Sequence, residues 1–404
     1  MKLYFFTASF PYGVHPVWIA NEIELLRNKF SEITIVPYSF YGSEINVPIH
    51  NTENITVEKP FFTKPVFIKP KTLIYLFSPR LILYLKEFFS QKVFSSKAKM
   101  ISFLDYVSKT ELMLKTDVVK DLLHKKDKDN IVLYFYWGIG CSYLVPYLKE
   151  FNKIIIRFHG FDLYEERNNS YIPFRKQQLA NMKFGVFISN HGMNYLKAKY
   201  KDFEQKYKLF RLGVKSKGSA IQSSDNVFRI VSCSSIITLK RVHLILGAIK
   251  KLTINVEWTH LGGGELFEAL KNETSDLPDN LKVNLTGQID SAKVLDFYVD
   301  KMVDVFVNVS TTEGVPVSIM EAFSASIPVI ATNVGGTHEI VDNSVGMLIP
   351  SEISERNLAD YLLAFYSLPF EEKMKLRVNA KRRFEECCNA RKLNENFSDF
   401  IVNI

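Results

Sequence analysis

The stretch that decides the fold is Ser310-Thr-Thr-Glu313-Gly314-Val-Pro316-Val-Ser-Ile-Met-Glu321-Ala322-Phe-Ser-Ala-Ser-Ile-Pro328-Val-Ile-Ala-Thr-Asn-Val-Gly335-Gly336-Thr-His-Glu339-Ile-Val341. The apolar run before it, Val303–Val309, predicts a strand, and Pro316 lies where a helix can begin. Glu313 precedes this helix, and Glu321 falls within its early turns. In open parallel sheets ligands bind at the carboxyl ends of strands, where a helix N-terminus offers N–H groups to phosphate or hydroxyl oxygens. The stretch therefore predicts a strand–loop–helix unit whose two carboxylates suit a polyhydroxylated ligand.

Short apolar strands alternate with helical patterns along the chain, which predicts parallel α/β domains. A small, polar run, Lys215–Asn226, divides this alternation near the middle. We predict a first domain over 1–212, a linker over 213–226, a second domain over 227–385 and a C-terminal helix over 386–404. The predicted strands are Lys2–Phe6, Ile33–Pro37, Ile131–Phe135, Ile154–Phe158, Gly185–Ser189, Tyr207–Phe210, Phe228–Ser232, Val256–Leu261, Val283–Leu285, Val303–Val309, Val329–Ala331 and Met347–Ile349.

The opening stretch resembles the donor site of the retaining GT-B glycosyltransferases of the glycosyl transferases group 1 family, whose signature is two glutamates eight positions apart. Glu313 and Glu321 fill both places, and the following small-Pro-Val-Ile-Ala and Gly-Gly-x-x-Glu-x-Val stretches also match. The resemblance implies two Rossmann-like doubly wound domains facing each other across a cleft, with the last helix returning to the first domain. It also implies that Glu313 contacts the donor sugar and Glu321 the ribose. Alternatively, either glutamate only complements a helix dipole, an effect of about 0.3–1 kcal/mol.

A second loop, after the strand Phe228–Ser232, carries the cations of the predicted site. Family members usually have an arginine and, five residues later, a lysine, and both contact the diphosphate. Lys240 matches the lysine, whereas Ser235 stands where the arginine is expected, so that Arg241 or an arginine of the first domain becomes the candidate to compensate. An exposed helix start is the alternative interpretation of both cations.

The resemblance implies further donor-binding residues, which belong to glycine-rich turns, to the start of the helix after Glu313, and to the loop after a strand. A tight turn alone would also require glycine, and a lone histidine is often structural. In the first domain His159 is implied beside the donor sugar, and Gly13 over the phosphates, where the family often has two glycines. The remaining implied donor contacts are Gly263, Gln288, Gly314, Val315, Pro316 and Val317.

The resemblance implies that this chain transfers a sugar from a UDP-, GDP- or ADP-sugar to an acceptor hydroxyl. It also implies retention at the anomeric carbon and a reaction without metal or cofactor. Glu313, His159 and Lys240 would be its catalytic residues. Two alternatives remain open: a GT-B sugar-nucleotide epimerase, which needs no acceptor, and a non-catalytic nucleotide-sugar-binding partner, which Ser235 favours.

The charge of the chain is unevenly placed. Its net charge is +8, yet the stretch 59–126 alone holds 14 basic and 5 acidic residues, interleaved with aromatic ones. This pattern predicts a helical insertion that contacts an anionic membrane surface, and hence a lipid-linked saccharide acceptor in bacterial surface polysaccharide synthesis. The alternative is a solvated lysine face over an aromatic core. No recognised nucleic-acid-binding module surrounds the stretch, so nucleic acid is not a predicted partner.

The cysteines and apolar runs indicate the compartment. Four cysteines without paired spacing give no disulfide framework, which favours a reducing compartment. The run Leu3–Phe6 is shorter than the core of a signal peptide, and Leu73–Phe89 is interrupted by charges, so no membrane span is predicted. We predict a cytoplasmic protein attached peripherally to the inner face of the cytoplasmic membrane.

Overall fold

The computed structural model describes residues 1–12, 17–42, 53–66 and 78–404. The chain divides into two compact units, the first formed by Met1–Phe210 with Phe397–Ile404 and the second by Arg211–Asn396. The run 213–226, predicted to be a linker, lies inside the second unit. There Val214 and Ile221 form isolated parallel bridges with distant residues of the same unit.

In the described part of the first unit, seven parallel strands form one sheet in the order β3-β2-β1-β4-β5-β6-β7. The six strands predicted for this half are present, whereas β3 was not predicted because its apolar run is only three residues long. The strands are β1 (Lys2–Thr7), β2 (Glu32–Pro37), β3 (Ile55–Val57), β4 (Ile131–Phe135), β5 (Ile154–Phe158), β6 (Phe184–Phe187) and β7 (Tyr207–Leu209). The helices described in this unit are α1 (Val17–Leu26), α2 (Leu81–Ser90), α3 (Lys97–Met113), α4 (Asp117–His124), α5 (Arg175–Asn181) and α6 (Asn190–Lys199).

The second unit contains a six-stranded parallel sheet in the order β10-β9-β8-β11-β12-β13. All six strands predicted for this half are present. They are β8 (Phe228–Cys233), β9 (Val256–Leu261), β10 (Leu281–Leu285), β11 (Val305–Asn308), β12 (Val329–Thr332) and β13 (Gly346–Ile349). The helices that follow in the chain are α7 (Val242–Ile249), α8 (Phe267–Asn272), α9 (Ser291–Asp300), α10 (Val317–Ser324), α11 (Glu355–Tyr366), α12 (Phe370–Cys387) and α13 (Ala390–Val402), whose residues from Phe397 onward belong to the first unit.

Both sheets are doubly wound, which confirms the predicted fold class. Strands such as β4, β5 and β12 are buried along their whole length, as parallel strands covered by helices on both faces must be. The strand order reverses between β1 and β4 in the first sheet, and between β8 and β11 in the second. In such sheets ligands bind at these switch points, outside the carboxyl ends of the strands.

The end of the chain belongs to the core of the first unit. Phe397 and Ile401, on the last turns of α13, are buried with Leu3, Phe5 and Tyr134. The return to the first unit therefore begins at Phe397, later than the predicted C-terminal helix at 386.

The predicted helical insertion is present as α2, α3 and α4, although its residues 67–77 lie outside the described part. Tyr84, Phe103, Tyr106 and Phe174 form a small aromatic core beneath it. Among the described helices, none is both long and apolar enough to cross a membrane.

Candidate active site

The switch point of the second sheet brings together two residues that the sequence analysis selected. The loop after β8 carries Lys240 and the loop after β11 carries Glu313, and Lys240 Nζ donates a hydrogen bond of 2.6 Å to Glu313 Oε1. Asn308, at the end of β11, donates to the same carboxylate oxygen at 3.3 Å. Asn308 is a contact that the sequence analysis missed, although its place as the last strand residue before the loop marks it as a candidate.

Hydrogen bonds from a backbone amide and from the Arg241 side chain hold these two loops together and connect them to the loop after β13. The Thr311 amide donates to the Leu239 carbonyl at 2.9 Å, and the Arg241 guanidinium donates to the carbonyls of Val309 and Ser351, each at 2.7 Å. Arg241 itself adopts a left-handed backbone conformation, with φ of 48°, at the start of α7. In this structure its guanidinium therefore connects the loops and fixes the position of the neighbouring Lys240.

The pair Gly335-Gly336 packs against the backbone of the Glu313 loop. Gly335 has a φ of +52°, and a Cβ at this position would overlap the Glu313 carbonyl oxygen. The Gly336 amide donates to the Gly314 carbonyl at 2.7 Å. Because only glycine permits both the conformation and the close approach, the Gly-Gly sequence determines where the Glu313 loop lies.

Helix α10 begins directly after this loop. Pro316 occupies the N-cap position and Val317 is the first helical residue, as predicted. The first N–H groups of a helix have no intrahelical partner, so the start of α10 presents amide donors next to Glu313. Gly314 and Val315 complete the turn that leads into it.

Glu321 lies on the second turn of α10. Among the described residues, no side chain or backbone donor contacts its carboxylate, which is only partly exposed. Burial raises the pKa of Glu321 to about 7. A partly buried carboxylate without a partner is suited to accept hydrogen bonds from a ligand's hydroxyl groups.

The glycine-rich turn after β9 packs on the loop that contains Ser235. The Gly263 carbonyl accepts a hydrogen bond of 2.8 Å from the Ile236 amide, and Gly262 has a φ of +140°. Gly263 also lies close to the backbone of Gln288. The Ser235 and Gln288 side chains are both exposed, so each is accessible to a ligand.

His159 follows β5 in the first unit, and it is buried. Its ring lies 4.1 Å from that of Trp137, and neither ring nitrogen has a hydrogen-bond partner among the described residues. Asp162, which the sequence analysis did not select, accepts from the His159 amide at 2.8 Å and from the Gly138 amide at 2.6 Å. Gly13, the other residue predicted for this unit, lies outside the described residues.

A cavity of about 410 Å³ opens at the switch point of the first sheet. Five aromatic side chains line it, and an ion pair of 2.8 Å between Lys109 and Asp105 of α3 supplies charge at its wall. The sequence analysis missed this cavity because its residues come from several separate segments. Its aromatic residues are Phe6, Tyr38, Trp137, Tyr143 and Phe161.

Comparisons with known proteins agree with this architecture. Residues 216–383 match the family model described as glycosyl transferases group 1. The putative colanic acid biosynthesis glycosyltransferase WcaL of Escherichia coli K12 is 26% identical over 263 residues, which cover 62% of this chain and 64% of WcaL. The match thus spans less than two thirds of that relative's length.

Solved structures show the same fold along the whole chain. Anabaena HepE, in complex with UDP and glucose, aligns with a TM-score of 0.61 at 13% identity and full coverage of both chains. The lipopolysaccharide outer core galactosyltransferase WaaB aligns with a TM-score of 0.64 at 15% identity and 99% coverage of both. The chain therefore has the GT-B fold, and its segment 216–383, which holds Lys240, Glu313 and Glu321, matches the glycosyl transferases group 1 family.

Proposed function

We propose that this protein is a glycosyltransferase that moves a sugar from a nucleotide diphosphate sugar to a hydroxyl group of a saccharide acceptor in bacterial surface polysaccharide synthesis. The observation that carries the proposal is the Lys240–Glu313 pair at the switch point of the second sheet, beside the N-terminus of α10. HepE, of the same fold, was solved with UDP and glucose, and WcaL is named for colanic acid biosynthesis.

The proposed reaction breaks the bond between the anomeric carbon and the β-phosphate oxygen of the donor. The acceptor oxygen forms a new bond to that carbon, and its proton passes to the departing nucleoside diphosphate. Negative charge grows on the diphosphate as it leaves, so preorganised cations and amide donors lower the barrier. Attack from the face that the diphosphate leaves would retain the anomeric configuration without a covalent intermediate and without a metal.

The site residues of the second unit each have a proposed role in this step. An ammonium group has three donors, and the contact with Glu313 uses one, so Lys240 keeps two for phosphate oxygens. Glu313 would accept from hydroxyl groups of the sugar, and Glu321 from those of the ribose. The guanidinium of Arg241 is engaged with carbonyls, which supports a positioning role for it instead of a phosphate contact.

The acceptor is proposed to be a saccharide, linked to a lipid and presented at the inner face of the cytoplasmic membrane. The aromatic walls of the first unit's cavity and its Asp105–Lys109 pair support a sugar ring as the occupant, because apolar faces with few polar groups orient such ligands. His159, whose ring packs against Trp137 of that cavity, is proposed to contact the donor sugar.

Nucleotide binding and turnover of two glutamate variants test this division of roles. We expect thermal shifts with one of UDP, GDP or ADP and its sugar for the wild type. Glu321→Ala should lose this shift, whereas Glu313→Ala should keep most of it and lose acceptor-dependent release of the nucleoside diphosphate. Glu372→Ala, which removes an exposed glutamate on α12, is the control. Equal losses of binding and turnover in both variants would contradict the assignment.

Ser235 favours a second candidate, a nucleotide-sugar-binding partner without catalysis, because the cation expected in this loop is absent at its position. The same assay separates the candidates. A transferase releases nucleoside diphosphate only when acceptor is present, an epimerase produces an isomeric sugar nucleotide without acceptor, and a binding partner shows the thermal shift alone.

A further inference from the structure

Helix α2 packs Tyr84 into the aromatic core, yet it departs from the usual amphipathic pattern of a surface helix. It buries a carboxylate, Glu87, which is 2% exposed, and it exposes Ile82 at 82% and Phe89 at 63%. Surface helices of soluble proteins normally place apolar residues inward and charged residues outward. The buried carboxylate of α2 therefore requires a cause on the inner side, and its exposed apolar side chains have a consequence on the outer side.

The inner side is fixed by hydrogen bonds to two carboxylates. Glu87 accepts from the Phe174 amide at 2.8 Å and from the Tyr171 hydroxyl at 3.0 Å. Glu111 of α3 accepts from the Tyr84 hydroxyl at 2.6 Å and pairs with Arg80 at 3.1 Å. These contacts lock the rotation of α2 about its axis, so Ile82 and Phe89 are held outward.

The outer side exposes apolar and basic residues. Positions 82, 85, 86 and 89 follow the i, i+3, i+4, i+7 spacing of one helical face. Between residues 78 and 104 the chain has five basic residues and one acidic residue, the buried Glu87. We call this surface the α2 face; its exposed residues are Ile82, Leu85, Phe89, Phe94 and Ile101 with Lys86, Lys92 and Lys97.

We propose that the α2 face docks on an anionic lipid bilayer, with its apolar side chains among the acyl chains and its lysines at the phosphate level. Charge complementarity selects this occupant, because no exposed acidic residue lies between residues 78 and 104 and none of the three lysines pairs with a carboxylate of the described residues. Apolar residues with flanking lysines on one helical face are the features of helices that lie in a membrane interface. The proposal deepens the proposed function, on which it rests for its purpose, since a lipid-linked acceptor would lie in the same bilayer.

Co-sedimentation with vesicles tests the proposal. We expect the full chain to bind vesicles of phosphatidylcholine with phosphatidylglycerol, and to bind pure phosphatidylcholine at least tenfold more weakly. The double variant Ile82→Ser/Phe89→Ser should lose at least tenfold in binding. Lys86→Glu/Lys92→Glu should lose about fivefold for each lysine and should remove the preference for the anionic lipid.

Matched controls distinguish the α2 face from general surface properties. Phe370→Ser on α12 removes a side chain with 66% exposure, close to that of Phe89, and Lys392→Glu reverses an exposed lysine on α13. Both should bind vesicles as the wild type does. The nucleotide thermal shift reports on the folding and donor binding of every variant, so a failure of the proposed donor site appears there and leaves the vesicle result interpretable.

Three results would overturn the proposal. The first is equal binding of neutral and anionic vesicles, and the second is unchanged binding by both α2 variants. The third is that the α2 variants elute at a different volume from the wild type on size exclusion while their vesicle binding is unchanged. This result would identify the α2 face as a contact between copies of the chain.

Discussion

At the residue scale, Glu321 links burial to pH. Its pKa of about 7 exceeds the ordinary value of 4.5, so between these pH values the folded chain keeps a proton that the unfolded chain has released. The stability that this proton provides is complete below about pH 4.5 and is lost as the pH rises through 7, an effect of about 3 kcal/mol at most. Above pH 7 the Glu321 carboxylate is ionised, and hydrogen bonds from a ligand's hydroxyl groups would stabilise this form.

We therefore expect Glu321→Gln to unfold at higher urea concentration than the wild type at pH 8, and at nearly the same concentration at pH 5. The neutral amide avoids the burial of a charge, which the wild type bears only at the higher pH. The exposed Glu268 provides the control, since Glu268→Gln should leave the pH dependence unchanged. A stability difference that is the same at both pH values would show that the carboxylate does not titrate in this range.

A substitution at Ser235 tests the site by adding a ligand contact instead of removing one. Its side chain is exposed and its loop is held by backbone hydrogen bonds of Ser234 and Ile236, so an arginine should fit without disturbing the fold. We expect Ser235→Arg to bind the nucleoside diphosphate at least tenfold more tightly, through one added charge-assisted contact of about 1.5–3 kcal/mol. Titration calorimetry measures this. Thr238→Arg, which adds the same charge three residues along, should have little effect, and equal gains in both variants would indicate only non-specific charge attraction.

At the element scale, most strands could be predicted because fully buried parallel strands are continuous apolar runs that end at turn residues. The helix after Pro316 could be predicted from its start signal. The short β3 could not, and neither could the pairing of Lys240 with Glu313, because their sequence separation is large and only the strand order of the folded sheet makes their loops adjacent. The orientation of α2 was equally inaccessible, since partners outside the helix bury Glu87.

The position of the Glu313 loop depends on one glycine, Gly335. In Gly335→Ala the new methyl group would overlap the Glu313 carbonyl oxygen, and the residue would keep a φ of +52° that costs about 1–2 kcal/mol. We expect a loss of at least tenfold in nucleotide affinity with a moderate drop in melting temperature. Gly218→Ala is the matched control, because it has a φ of +145° but a Cβ there would make only ordinary van der Waals contact with Val299, so it should lower stability without altering affinity. Equal affinity losses in both variants would show that strain alone, and not the overlap with the Glu313 loop, is responsible.

At the scale of the whole molecule, the two units share one plan. Each sheet reverses its strand order once, and each switch point holds a candidate site: Lys240 and Glu313 in the second unit, and the aromatic cavity in the first. Sequence patterns predicted both sheets but not the place of the run 213–226, which resembles a linker in composition while Val214 and Ile221 pair within the second unit. The end of the chain, which follows the second unit in sequence, completes the first.

This completion of the first unit predicts a selective loss of stability. Phe397 is buried, its ring lies 5.3 Å from that of Tyr134, and the Arg157 guanidinium lies 4.3 Å from its centroid. Phe397→Ala should lower the free energy of unfolding of the first unit by about 3–5 kcal/mol, because it leaves a cavity beside a buried ion pair between Arg157 and Glu22. Hydrogen exchange should therefore accelerate in peptides from β1 and β4, while peptides from β8 to β13 keep their protection. Phe370→Ala, at an exposed phenylalanine, should change neither, and an equal loss of protection in both sheets would mean that the two units unfold as one cooperative body.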